Sequence, residues 1–524
     1  MTPARTPRDP SATVATGAPA TKAKRATRAA PSAPEPTPPD PDVVAAATLA
    51  DTLAPDTTPA PTSPEALAVW LTGRRWFTDT DHADDRAASA PLEVSLTTVA
   101  LPVEPPLAIG LVDTSRGDRY QLLVPGSTDA HRPDVGDDPS SATVLARWVA
   151  TGERSEPGPA GAVAGNWPAA HAVIGDAPAR PLGDEQSNTS VVVGGTHVLK
   201  LFRRLQAGPH PEIEVGRHLA LAADAGTTAP VARLVGWYEL VPPAGSGDAT
   251  ALGVVQDLVP GALDAWGLVL SGLAGDPGAL LARLHQLGTA AAELHGALAR
   301  PADHPPPGAV TDPEAPASFG AVALTPDRLA VVVAAITADA HRVLATTLGR
   351  PAALAPVAGR ADEVAALAAD LVVRLGTDLG SAIRHHGDLH LGQVVDSHDG
   401  WVILDFEGEP TRPLAERRRR HSPLRDVAGM VRSFAYAAAT HRRADGHRLA
   451  DGWEPAARAA FLDGYLSSVD PTLLPTSAAA TRTLLTLLEL EKVVYEIDYE
   501  LAHRPGWVGL PVDGLRRLLV SGGA

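Results

Sequence analysis

The 524-residue chain contains no cysteine. Disulfides, thiolate nucleophiles and cysteine-held metals are excluded, and a reducing, cytoplasmic setting is expected. Positive charge is also scarce: 44 basic residues face 61 acidic ones, a formal net charge of −17. That balance argues against general nucleic-acid binding and against attraction to anionic lipid. No apolar run reaches the length of a membrane span, and the N-terminus lacks the apolar stretch of a secretory signal. Lysine is nearly missing. Of the basic residues only four are lysines: Lys22, Lys24, Lys200 and Lys492. The first two lie in a tail. Arginine's planar fork does not reproduce lysine's compact charge, so Lys200 and Lys492 become candidate functional residues.

Residues 1–62 are dominated by Ala, Pro and Thr, with a small basic cluster from Lys22 to Arg28. So few large apolar residues cannot bury a core, and a disordered tail is expected. Ser63-Pro64-Glu65 then signals a helix start. Trp70, Trp76 and Phe77 read as a packed anchor. Segments 92–100, 107–112 and 120–124 read as antiparallel strands, giving an α+β cap subdomain over 63–180.

A nucleotide-binding lobe is expected over 181–260. Residues 190–193 and 197–202 read as strands joined by Gly194-Gly195, a hairpin signal. Lys200 lies within the second strand. The polar loop before it, Glu185 and Gln186 through Ser187, Asn188 and Thr189, offers N–H and hydroxyl donors to phosphates. No Gly-x-Gly-x-x-Gly accompanies it. The next helix bears Glu212 and Glu214, with Glu214 the favoured partner of Lys200. Residues 251–259 form an apolar strand suited to a hinge, where backbone groups from Gln256 to Leu258 are placed to read adenine. The remainder, 261–524, reads as a helical lobe. His295 on its first long helix reads as a packing histidine.

Within that lobe, residues 385–409 read HHGDLHLGQVVDSHDGWVILDFEGE. Asp388 lies in a polar loop. Asp405 ends the apolar strand Trp401–Leu404. Gln393 follows Asp388 by five positions. Phosphoryl transfer needs one acid to accept a hydroxyl proton and a second to hold Mg²⁺ against nucleotide phosphates, with an amide holding the metal from the other side. The later run Arg417–Arg420 reads as a solvated face. On the helix 482–503, Lys492, Tyr495, Glu496 and Tyr499 fall at i, i+3, i+4 and i+7. That stripe is too polar for a deep core and suits a sugar.

Together, HGDLHLGQVV…WVILDFEGEPTRPLAERRRR…SPLRDVAGMVRSF, EQSNTS…VLKLFRRL…PEIEV and the closing ELEKVVYEIDYELAHRPGWVGLP resemble the actinobacterial maltokinases. These are relatives of the aminoglycoside phosphotransferases with a bilobal, eukaryotic-kinase-like fold. The likeness spans about residues 65–520. It implies transfer of the γ-phosphate of ATP to the anomeric hydroxyl of maltose, giving maltose 1-phosphate for α-glucan synthesis from trehalose. Trehalose synthase is the partner suggested by that pathway. By the resemblance, Asp388 is the base, Gln393 and Asp405 hold Mg²⁺, Lys200 binds phosphate and Glu214 positions it. His390 and Glu407 lie beside the site. Lys492, Tyr495 and Tyr499 form the sugar-recognition element.

Two alternatives remain. A glucosamine or aminoglycoside kinase of the same superfamily would use the acids Glu407 and Glu409, although Lys492 favours a neutral sugar. A catalytically inactive, kinase-shaped binding protein is disfavoured because Lys200, Asp388 and Asp405 are all present.

Overall fold

The computed structural model describes residues 63–77, 91–126, 134–168, 172–182, 187–301, 319–345, 351–410, 412–445 and 452–522. The tail 1–62 and loop residues Glu185 and Gln186 lie outside the described residues. The architecture is α+β and bilobal, with two antiparallel sheets followed by a helical lobe.

The Pro64–Thr72 helix starts where Ser63 accepts the Ala66 N–H at 3.3 Å, with Pro64 in the first turn. A four-stranded sheet follows, in the order Val94–Leu101, Leu107–Thr114, Arg119–Pro125 and Arg204–Leu205. Trp76 and Phe77 close on Tyr120, with ring centroids 6.0 and 4.9 Å apart. The aromatic anchor is therefore packing, as its spacing predicts.

The second sheet runs in the order Ala162–Asn166, Leu234–Val241, Thr250–Asp257, His197–Phe202, Asn188–Val193 and Arg180–Pro181. Its central hairpin turns through Gly194 and Gly195 at φ of 59° and 72°, a turn that side-chain-bearing residues rarely adopt.

The sheets do not respect a boundary near residue 180. Ala162–Asn166 belongs to the six-stranded sheet, and Arg204–Leu205 completes the four-stranded sheet. The cause is the join at Arg203, whose guanidinium reaches Asp134 at 2.9 Å and whose Nε donates to Thr189 at 2.8 Å. The Gln121 amide spans the same join, donating to the carbonyls of Phe202 and Leu252 at 3.0 and 2.9 Å. A single apolar cluster runs under both sheets.

In the helical lobe, Pro277–Leu298 and Trp453–Ser468 touch backbone to backbone. A Cβ at Gly288 would strike the Phe461 carbonyl, and one at Gly464 the His285 carbonyl, so glycine is what permits the approach. Leu424–Asp445 and Ala478–His503 pack beside them through Val427, Phe434, Leu484 and Ile497. A small sheet of Leu263–Asp264, Val394–Ser397 and Gly400–Ile403 lies on this lobe. Among the described residues, no helix is long and apolar enough to cross a membrane.

Candidate active site

The stretch 385–409 contains a hairpin whose register fixes its polar ends. Val394 pairs with Ile403, and the Leu404 N–H donates to the Gln393 carbonyl at 2.9 Å. Gln393 thus sits one position from Asp405 across the ladder. Asp405 has φ of 65°, the one positive value for a non-glycine among the described residues. Such a conformation costs free energy and is held only where surroundings over-determine it, commonly at functional sites.

The loop carrying Asp388 is clamped from below. Asp426, 1% exposed, accepts the N–H groups of His386 and Gly387 at 2.8 and 2.9 Å. His295 meets the same carboxylate at 3.1 Å and the Tyr465 hydroxyl at 2.9 Å. Burial alone would raise the Asp426 carboxyl, but the His295 hydrogen bond and the nearby His385 hold it well below the usual range. His295 is therefore more than packing: it positions the acid that positions the loop. A lone histidine on an apolar helix gave no sign of this, because its partner lies 131 residues away.

On the acceptor side, Lys492 Nζ lies 3.1 Å from Asp388 and 2.7 Å from Glu409. Burial opposes its charge, yet Glu409 and Asp388 outweigh that and keep it an ammonium. Its Nζ is 4.9 Å from the Tyr495 ring, and Tyr495 and Tyr499 stack at 6.3 Å. Glu496 departs from the expected stripe. It turns inward to a bidentate pair with Arg432, with its shortest contact 2.7 Å. His390 Nε2 is 3.9 Å from Asp388, while its Nδ1 accepts the Gly392 N–H at 3.0 Å.

On the nucleotide side, Lys200 Nζ contacts Glu212 at 3.1 Å, Asp405 at 2.8 Å and Glu407 at 2.8 Å. Glu212, not Glu214, is its partner on the helix. Two residues advance a helix by roughly 200°, so when Glu212 faces Lys200, Glu214 faces away. Glu214 instead binds Arg418 in a bidentate pair at 2.8 Å and Arg384 at 3.2 Å.

Side chains from the polar loop divide in the same way. Asn188 donates to Glu407 at 2.5 Å and so faces the cluster. The Thr189 hydroxyl is on the opposite face, taken by Arg203. Ser187 stays near Asn188, their side chains 3.4 Å apart.

At the hinge, the Leu258 N–H donates to the Thr196 carbonyl at 2.8 Å and is not available to a base. The Gln256 side chain reaches Glu212 at 3.2 Å instead. The arginine run is a correction too. Only Arg419 is exposed, because Arg417 binds the Glu407 carbonyl at 3.1 Å, Arg418 binds Glu214 and Arg420 is buried.

The charges on this side leave room for a cation. Carboxylate oxygens of Glu212, Asp405 and Glu407 lie within 4.8 Å of one another around the single Lys200 ammonium. Burial, reinforced by Asp405 and Glu407, pushes the Glu212 carboxyl up to about 8 against the pull of Lys200. Burial would also raise Asp405, but Lys200 holds it at about 2. Three acids on one lysine, all oxygen donors, fit a hard divalent cation such as Mg²⁺.

A strand-borne lysine under one sheet, an acid-bearing loop above a helical lobe and a cleft of carboxylates define the kinase-like fold. Solved glucosamine kinase structures share it. One covers 82% of this chain and 94% of its own at TM-score 0.60 and 23% identity. Another, glucosamine kinase in complex with glucosamine, ADP and inorganic phosphate, covers 82% and 94% at TM-score 0.58 and 24% identity.

In sequence, the chain is similar to a glucosamine kinase of Mycolicibacterium smegmatis, 29% identical over 359 residues, 66% of this chain and 80% of the relative. A glucosamine kinase of Streptacidiphilus jiangxiensis is 29% identical over 350 residues, 64% of this chain and 72% of the relative. No family model matches. The comparisons support a kinase and do not single out the maltokinases.

Proposed function

We propose that the chain is an ATP-dependent sugar kinase. One observation carries this reading: Lys200, Glu212 and Asp405 are already joined on one side of the cleft, while Asp388 is clamped at the other and bound by Lys492. Asp388 accepts the proton of the acceptor hydroxyl. Lys200 takes up phosphate charge. Bound Mg²⁺ would neutralise the transferring phosphoryl group, held by Asp405 with Gln393 and Glu407 as neighbours. The ADP in a glucosamine kinase complex supports ATP as donor.

For the acceptor, the relatives' names favour glucosamine. Lys492 does not oppose an amino sugar, since its charge is matched by Glu409 and Asp388. Maltose is the second reading, with maltose 1-phosphate as product and trehalose synthase as pathway partner. The stacked Tyr495 and Tyr499 favour it, because two consecutive rings suit a disaccharide.

The test is ATP consumption by purified protein with Mg²⁺ and glucosamine, maltose, glucose, trehalose or an aminoglycoside. Turnover with one sugar and none after EDTA supports the reading. ATP left intact with every acceptor overturns it.

A further inference from the structure

A small cavity of about 10 Å³ lies beside Asp388, lined in part by Glu409, Arg412, Arg425, Glu491 and Lys492. That volume takes one water-sized group and no sugar ring. Glu491 is 7% exposed. Its Oε1 is held by Arg425 at 2.9 Å and by Arg412 at 3.4 Å. Its Oε2 is buried and has no hydrogen-bond partner among the described residues.

The cations around it are committed elsewhere. Lys492 is bound to Asp388 and Glu409, and Arg412 also serves Glu409 and Glu416. A buried carboxylate oxygen without a donor is costly, and natural structures rarely leave one unsatisfied. Glu491 lies one turn before Tyr495 on the helix, and the cavity wall brings it together with Lys492.

Building on the sugar-kinase reading, we infer that Glu491 is an acceptor-binding residue. Its Oε2 accepts a hydrogen bond from one hydroxyl or amino group of the sugar, inserted into the cavity beside Asp388. The cavity selects the acceptor by that single substituent. The lining carries four carboxylates, Asp388, Glu409, Asp426 and Glu491, against the three cations Arg412, Arg425 and Lys492, so no excess positive charge repels an ammonium and a neutral hydroxyl fits as well.

The experiment compares KM for sugar and for ATP in wild type, Glu491→Gln and Glu491→Asp. The aspartate keeps the charge and withdraws the oxygen by one methylene, so it covers the case in which the glutamine variant folds poorly. The sugar KM is expected to rise about tenfold or more in each folded variant, with the ATP KM within about twofold of wild type. Deoxy and amino versions of the accepted sugar then identify the donor group. The substituent whose removal adds no further loss in the Glu491 variant is the one it binds. A loss confined to the amino sugar assigns an ammonium, and an equal loss for its hydroxy counterpart assigns a hydroxyl. An unchanged sugar KM, or sugar and ATP KM rising together, overturns the inference. Wild type that phosphorylates no sugar instead defeats the kinase reading, before any variant is made.

Discussion

At the scale of single residues, the site depends on charges placed one by one. Asp388→Asn removes the proposed proton acceptor and leaves an amide beside Lys492, which Glu409 still holds at 2.7 Å. Turnover is expected to fall by roughly 10²–10⁴-fold with little loss of thermal stability. Steady-state assays with a melting curve check this, and near-normal turnover would remove Asp388 from the chemistry. Lys200→Ala leaves Glu212, 1% exposed, without its cation. That variant should lose ATP affinity and turnover together, measured by nucleotide titration. Lys200, Lys492, Asp388 and Asp405 were legible in the sequence because rarity and spacing are local signals. Glu214 was favoured over Glu212 because the phase of a helix about its axis is set only when it docks, and docking turned Glu212 to Lys200. Glu491 gave no sign either. Its meaning lies in an oxygen left unpaired by arginines from other elements.

At the scale of elements, the helix Pro211–Asp224 is held between two lobes by alternate glutamates. Glu212 faces the sheet through Lys200, and Glu214 faces the helical lobe through Arg384 and Arg418. Arg384 is 1% exposed and lies 5.1 Å over the Phe319 ring. Removing Glu214 takes a carboxylate from that buried guanidinium and from Arg418, so Glu214→Ala should cost about 3 kcal/mol in denaturant unfolding. It should also lower turnover several-fold by loosening the helix that carries Glu212. A variant with wild-type stability and rate would show that the contact holds nothing in place. The catalytic hairpin was readable because its strands and turn lie within 25 residues. The arginine run was misread as a solvated face because Glu214 and Gln206, which help turn it inward, arrive from the other lobe, and the Glu407 carbonyl is brought beside it only by the folded turn.

At the scale of the whole molecule, the α+β character followed from hydrophobic periodicity and the bilobal plan from the motif resemblance, but the seam near residue 180 followed from neither. Sheet membership of Ala162–Asn166 and Arg204–Leu205 depends on pairings between distant strands, to which composition is blind. The shared interior also buries titratable groups whose cost appears only on acidification. His385 and His421 lie with ring centroids 5.8 Å apart behind the catalytic loop. Burial, opposed in part by Asp426, lowers the His385 imidazole to about 4, and burial with nearby cations takes His421 well below its usual value. Both folded values lie below that of the unfolded chain, so their contribution is complete above about pH 6.5 and is lost as pH falls toward 4. Each such group steepens the fall by up to roughly 1.4 kcal/mol per pH unit. Asp405, held at about 2, adds its own loss only in the lower window, from about pH 4 downward. The two windows are therefore separable. Unfolding free energies measured between pH 7.5 and 4.5 should decline below pH 6.5 in wild type and decline less steeply in His421→Leu. Leucine removes a buried imidazole that lies near Arg425 and Arg412. Identical slopes in the two proteins would mean that His421 is protonated without penalty in the fold, and that the acid sensitivity of this core lies elsewhere.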